Sequence, residues 1–97
     1  MLQIIWSQPA RSDLVNIIKY ISDENPFAAR HIRNLIEEAI LPTAEHPYIF
    51  RAGRVPGTRE IVAHPNYILI YGVSADRITV LSVLHARQEY PPALNNF

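Results

Sequence analysis

Residues 67–73, Tyr-Ile-Leu-Ile-Tyr-Gly-Val, and 78–85, Ile-Thr-Val-Leu-Ser-Val-Leu-His, decide the architecture of this 97-residue chain. Both runs are short, mostly apolar, and rich in β-branched and aromatic side chains. The turn Ser74-Ala75-Asp76 separates them, so they read as neighbouring strands. Their near-continuous apolar character places them centrally in a sheet, with one face under helices and the other partly covered. Upstream, Arg59–Ala63 is a third strand, set off by the turn His64-Pro65-Asn66, and the three form an antiparallel meander. Residues 48–58, with Gly53, Pro56 and Gly57 among polar neighbours, read as a loop.

The N-terminal half has a different period. Residues 2–6, Leu-Gln-Ile-Ile-Trp, suit a strand. Ser7 then caps a helix that carries Pro9 in its first turn, where a missing N–H costs nothing. Ala10, Leu14, Ile17, Ile18 and Ile21 make one apolar stripe at helical spacing. Asn25-Pro26 repeats the cap-and-proline signal, and Ile32, Leu35, Ile36 and Ile40 continue a second stripe. Pro42 ends that helix, with one more turn over Thr43-Ala44-Glu45 before His46-Pro47 stops it. The expected fold is α+β: an N-terminal strand, a helix hairpin, then a three-stranded antiparallel meander forming a sheet packed on the helices. Residues 1–92 make a single domain. Pro91-Pro92 forbids regular structure, and residues 93–97 are expected to be a mobile tail.

Composition narrows the function. With 48% hydrophobic and 19% charged residues the chain can fill one core. It has no cysteine, which excludes a disulfide scaffold, a thiol nucleophile and a thiolate zinc site. No apolar run approaches the ~18 residues of a membrane span and no signal-peptide pattern opens the chain, so a soluble cytoplasmic protein is expected. Nine cations balance nine acids, unlike the clearly basic domains that bind nucleic acid directly. Residues 1–47 carry a net −2 and residues 48–97 a net +2, so any positive face lies in the second half. Eight of the nine cations are arginine, which favours positional, bidentate contacts.

Arg59, Glu60, His64, His85, Arg87 and Tyr90 cluster in or just beyond the meander. Brought into one cleft they could position a phosphodiester. A base would deprotonate a 2′-hydroxyl, an arginine would take up phosphorane charge, and an acid would protonate the leaving oxygen. Equally, Arg59–Glu60 and Arg87–Glu89 could be strand-end ion pairs and His85 a strand cap. His31, His46, His64 and His85 fall in four different elements with no i, i+3 or i, i+4 pair, so no metal site is expected. No phosphate-cradling glycine loop and no Gly-x-Ser-x-Gly motif is present, and no cofactor is implied.

Taken in order, five segments resemble the ParE/RelE toxin superfamily over roughly residues 2–92. They are the helix hairpin, Glu45-His46-Pro47, residues 57–62 (Gly-Thr-Arg-Glu-Ile-Val), residues 67–71 (Tyr-Ile-Leu-Ile-Tyr), and residues 83–87 (Val-Leu-His-Ala-Arg). The likeness is greatest to ParE toxins of three-component regulator–antitoxin–toxin operons. It implies a toxin held inactive by an antitoxin whose flexible C-terminal part folds onto the exposed sides of the hairpin and the meander edges. Two mechanisms share this fold. ParE-type members are similar to poisons of DNA gyrase, and on that reading Arg59 and Arg87 are target-contact residues and nothing is catalytic. RelE-type members cut mRNA on the ribosome, and on that alternative Arg59, His85, Arg87 and Tyr90 form the catalytic set. The position after Tyr67, an arginine in RelE-type enzymes, is Ile68 here, and the single lysine, Lys19, lies in the first helix. Both features favour the gyrase reading. Gly72 stands where ParE-type sequences often carry arginine, which leaves a third possibility, an attenuated toxin that only binds its antitoxin.

Overall fold

The computed structural model describes residues 1–91 and Leu94. Strand β1 (Gln3–Trp6) leads into helix α1 (Gln8–Ser22), helix α2 (Pro26–Ala39) and a single 3-10 turn over Leu41–Ala44. Four strands follow: β2 (Arg51–Ala52), β3 (Thr58–His64), β4 (Tyr67–Val73) and β5 (Arg77–His85). The two caps are those the sequence signals. Ser7 Oγ accepts the Ala10 N–H at 3.2 Å, and Asn25 Oδ1 accepts the Ala28 N–H at 3.1 Å. Helix α2 stops because Pro42 has no N–H to continue the ladder, and the extra turn takes 3-10 form. No helix among the described residues is long and apolar enough to cross a membrane.

The sheet has five strands in the order β1-β5-β4-β3-β2. The meander is antiparallel, as its short turns require, whereas β1 lies parallel to β5 and makes the sheet mixed. Strand β2 falls inside the expected loop. Its two residues carry no strand signal of their own, and pairing of Arg51 with Glu60 and of Ala52 with Arg59 creates it. The face under the helices presents Ile61, Leu69, Tyr71, Ile78, Val80 and Val83 to Ile32, Ile36 and Ile40. On the outer face Ile68, Ile70 and Leu84 pack with Leu94. The remaining residues of the expected tail lie outside the described residues.

One irregularity ties helix to sheet. Ile70 pairs with Ser82 and Tyr71 with Val80, so Leu81 is an extra residue in β5. Asp13 of α1 binds β5 just beyond it. Its Oδ2 accepts the Ser82 hydroxyl at 2.8 Å and the Val83 N–H at 3.0 Å. Strand β1 ends opposite Val80, so no strand residue faces the Val83 N–H on that side of β5, and the carboxylate satisfies it.

Candidate functional site

Alternation along β3 sends Glu60 and Arg59 to opposite faces of the sheet. Glu60 lies on the outer face, 5% exposed. Its Oε1 meets two nitrogens of Arg51, Nε at 2.9 Å and Nη2 at 2.8 Å. Its Oε2 accepts the Tyr90 hydroxyl and lies 3.5 Å from Arg54 Nε. Tyr90 in turn accepts the Arg54 backbone N–H at 3.2 Å, and the Arg54 guanidinium lies 5.0 Å over its ring. Burial first, and then the hydrogen bond to Glu60, hold the Tyr90 hydroxyl above the usual tyrosine range. Gly53 sits against this knot. A Cβ there would come within 2.1 Å of Thr58 Oγ1 and 2.8 Å of the Tyr90 hydroxyl, so only glycine fits.

On the helix side, Arg59 shapes the loop that precedes β2. Its Nη1 donates to the Phe50 carbonyl at 2.8 Å and the Tyr48 carbonyl at 3.4 Å, and its guanidinium lies 4.8 Å over the Tyr48 ring. The Tyr71 hydroxyl, from the core, donates to the Pro47 carbonyl at 2.7 Å, and its ring meets Phe50 edge-on at 6.4 Å. Burial raises the Tyr71 hydroxyl above its ordinary range, while the Arg59 charge opposes the rise. The expected Arg59–Glu60 ion pair is therefore absent, because the two side chains leave β3 on opposite faces.

The far end of the meander carries the histidines. His85 pairs with Tyr67 and Tyr67 with His64, and the Tyr67 ring stands 5.7 Å from His85 and 5.8 Å from His64. His85 Nδ1 accepts the Arg87 N–H at 3.2 Å, which leaves the ring proton of the neutral form on Nε2. Arg87 is exposed, and its guanidinium takes no ion pair or hydrogen bond among the described residues, so the expected pair with Glu89 is not formed. Strands β3 and β5 run in the same direction, so the start of one and the end of the other lie at opposite ends of the sheet. Arg59 is level with Tyr71 and His85 with Tyr67, four residues along β4 or roughly 13 Å. The six candidates thus divide into three places. Glu60 and Tyr90 meet on the outer face, Arg59 binds the loop on the other, and His64, His85 and Arg87 gather at the far end. Among the described residues no three His, Cys, Asp or Glu side chains converge as metal ligands would.

A groove that the spacing of single residues does not disclose runs beside α1. Leu14, Val15 and Ile18 line one hollow with Lys19, Asp23 and Arg33, and a second hollow that shares Leu14, Val15 and Arg33 reaches Ile4, Ile5 and Trp6 of β1 beside Arg11 and Glu37. Strand β1 is a sheet edge, and Val15 is 63% exposed. An apolar floor rimmed by charged side chains, beside an open strand edge, suits an amphipathic partner segment that folds as it binds.

Comparison with known proteins places this geometry. The family described as the ParE toxin of the type II toxin–antitoxin system parDE matches residues 4–90. The Sinorhizobium fredii protein Y4kP is 38% identical over 93 residues, covering 95% of this chain and 96% of that one. Toxin RelE2 of Caulobacter vibrioides is 31% identical over 88 residues, covering 89% and 97%. A solved structure of the chromosomal ParDE system from P. aeruginosa superposes with a TM-score of 0.78 at 21% identity, covering 88% of this chain and 96% of that one, and so shares the fold.

Proposed function

The chain belongs to the ParE toxin family of type II toxin–antitoxin systems, and from that premise we propose that it arrests growth in the cytoplasm as a non-enzymatic poison of DNA gyrase. Its cognate antitoxin silences it by folding into the groove along α1 and the free edge of β1. The observation that carries the first part is the dispersal of the nuclease set. Arg59 donates to two loop carbonyls and Tyr90 to Glu60, roughly 13 Å or a sheet thickness away from His85. A general acid and base must both reach one phosphodiester, and groups already committed to separate structural contacts do not. Tyr90, with its hydroxyl raised by burial, is also poorly matched to proton transfer near neutrality. Ile68, buried on the outer face, leaves no cation at the position where RelE-type enzymes hold an arginine.

The alternative, a ribosome-dependent mRNA endonuclease, keeps one observation in its favour. His85 Nε2 and the exposed Arg87 stand together at the far end of β5. One substitution separates the readings. Under the gyrase reading His85→Gln keeps full growth arrest when the chain is induced without antitoxin. Loss of arrest in a His85→Gln protein that still binds antitoxin would give the function to the nuclease.

A further inference from the structure

We infer that residues 87–91 form a strap that opens from the folded domain as a unit, and that the grip of Glu60 and Arg54 on Tyr90 sets how often it does so. The strap thereby gates access to the apolar outer face of the sheet. This goes beyond the toxin reading and does not depend on it.

The attachments of the segment are unlike those of the strands. The Ala86 N–H donates to the Asn66 carbonyl at 2.8 Å, which ties the chain to the meander for the last time through its backbone. Beyond that point the described backbone–backbone bonds are local. The Gln88 N–H donates to the His85 carbonyl at 2.9 Å, and the Leu94 N–H to the Pro91 carbonyl at 3.0 Å. Side chains bring the segment back onto the domain, and they converge on two residues. Arg54 Nη1 donates to the Gln88 carbonyl at 3.0 Å, and the Arg54 N–H donates to the Tyr90 hydroxyl. The Arg54 guanidinium lies over the Tyr90 ring, and Glu60 accepts the Tyr90 hydroxyl. Contacts gathered at one place are lost together. Both Arg54 bonds are also open to solvent, and segments held by few, exposed contacts open far more readily than the whole domain unfolds.

Beneath the strap lies a small core of its own. The Tyr90 ring packs on the outer-face cluster of Ile68, Ile70 and Leu84, which are 4%, 0% and 2% exposed. Leu94 packs on the same cluster, while the helices cover the opposite face. Opening therefore bares aliphatic side chains beside Glu60 without disturbing the packing between sheet and helices.

The chain has no cysteine, so a single introduced one reports access to a chosen point. Leu84 and Val83 are neighbours on β5, 2% and 3% exposed, the first in the outer cluster and the second in the core under the helices. The test measures labelling of Leu84→Cys and Val83→Cys by a thiol reagent in buffer and in low urea. Ile70→Cys on the outer face and Ile61→Cys under the helices serve as a second pair should either of the first not fold. Thermal melts of each variant supply its global stability, against which the rates are compared. The outer-face cysteine should react at least ~100-fold faster than its counterpart, with little dependence on urea, because opening the strap exposes little surface and global unfolding exposes most of it. Adding Tyr90→Phe should speed the outer-face reaction ~10-fold, the factor that a lost hydrogen bond to a charged group carries at the low end of its range. Equal rates with equal urea dependence within a pair would mean that the outer face opens only by global unfolding, and would overturn the inference. An outer-face rate that Tyr90→Phe leaves unchanged would overturn the role given to the grip on Tyr90.

Discussion

Replacing Tyr90 by phenylalanine removes one oxygen from the knot around Glu60 and leaves the ring in place. That oxygen donates to a carboxylate 5% exposed and accepts the Arg54 N–H. A hydrogen bond to a charged group contributes about 1.5–3 kcal/mol when its partner cannot find water instead. Here the Arg54 N–H is exposed and recovers a water, and Glu60 keeps its Arg51 partner, so the lower end applies, about 1.5 kcal/mol. For a domain of this size that corresponds to roughly 6–12 °C in melting temperature. Glu60→Ala should cost more, about 2–4 kcal/mol, because it also strands the Tyr90 hydroxyl and opens a small void. The double variant should show a coupling of about 1 kcal/mol or more, since the two groups share one bond. Thermal melts of the four proteins in one buffer measure all of this. The same Tyr90→Phe protein, assayed where it is folded, should retain full toxicity, because the hydroxyl holds the chain after β5 rather than moving a proton. A melting temperature within a degree of the unaltered protein, or lost toxicity in a folded variant, would refute this account of Tyr90.

Gly53→Ala should destabilise by about 2 kcal/mol or more in denaturant titration, because the new methyl meets Thr58 Oγ1, itself held by the Val55 carbonyl at 2.6 Å. Asp13→Ala should cost about 2 kcal/mol by leaving the Val83 N–H of β5 unpaired, while Asp13→Asn, which keeps an acceptor, should cost about half as much. Stability should fall as pH rises above 10. Tyr71 and Tyr90 are both raised above their ordinary 10.0, so they stay neutral in the fold while the unfolded chain ionises, and their contribution is complete below pH 10 and lost toward the folded values. Melts between pH 8 and 11 should show this decline, shallower in Tyr90→Phe. Val15→Asp, at an exposed groove position, should weaken antitoxin binding at least tenfold by titration and leave the melting temperature of the free chain unchanged.

Local signals in the sequence foretold the elements whose causes are local. Ser7 with Pro9 and Asn25 with Pro26 mark helix starts because capping is settled within four residues. The meander strands follow from side-chain type and turn residues, and the observed β4 spans the expected 67–73. Strand β2 was not legible, since Arg51 and Ala52 become a strand only by pairing with β3. Nor was the role of Asp13, which reads as a polar residue off an apolar stripe until the end of β1 leaves the Val83 N–H of β5 open to it. The clustering of Arg59, Glu60, His85 and Tyr90 in sequence did not survive as one cleft, for two reasons. Neighbours on a strand face opposite ways, and the first and third strands of a meander start at the same end. Tyr90 reaches Glu60 only because the chain turns back after β5, a path that no residue pattern specifies.

The most direct test of the gyrase reading combines purified gyrase, relaxed plasmid, ATP and the chain freed of its antitoxin. The account predicts loss of supercoiling and the appearance of linear plasmid covalently linked to protein, restored to normal supercoiling when antitoxin is added. Full supercoiling in the presence of the folded, antitoxin-free chain, together with cleavage of mRNA on ribosomes that His85→Gln abolishes, would contradict it.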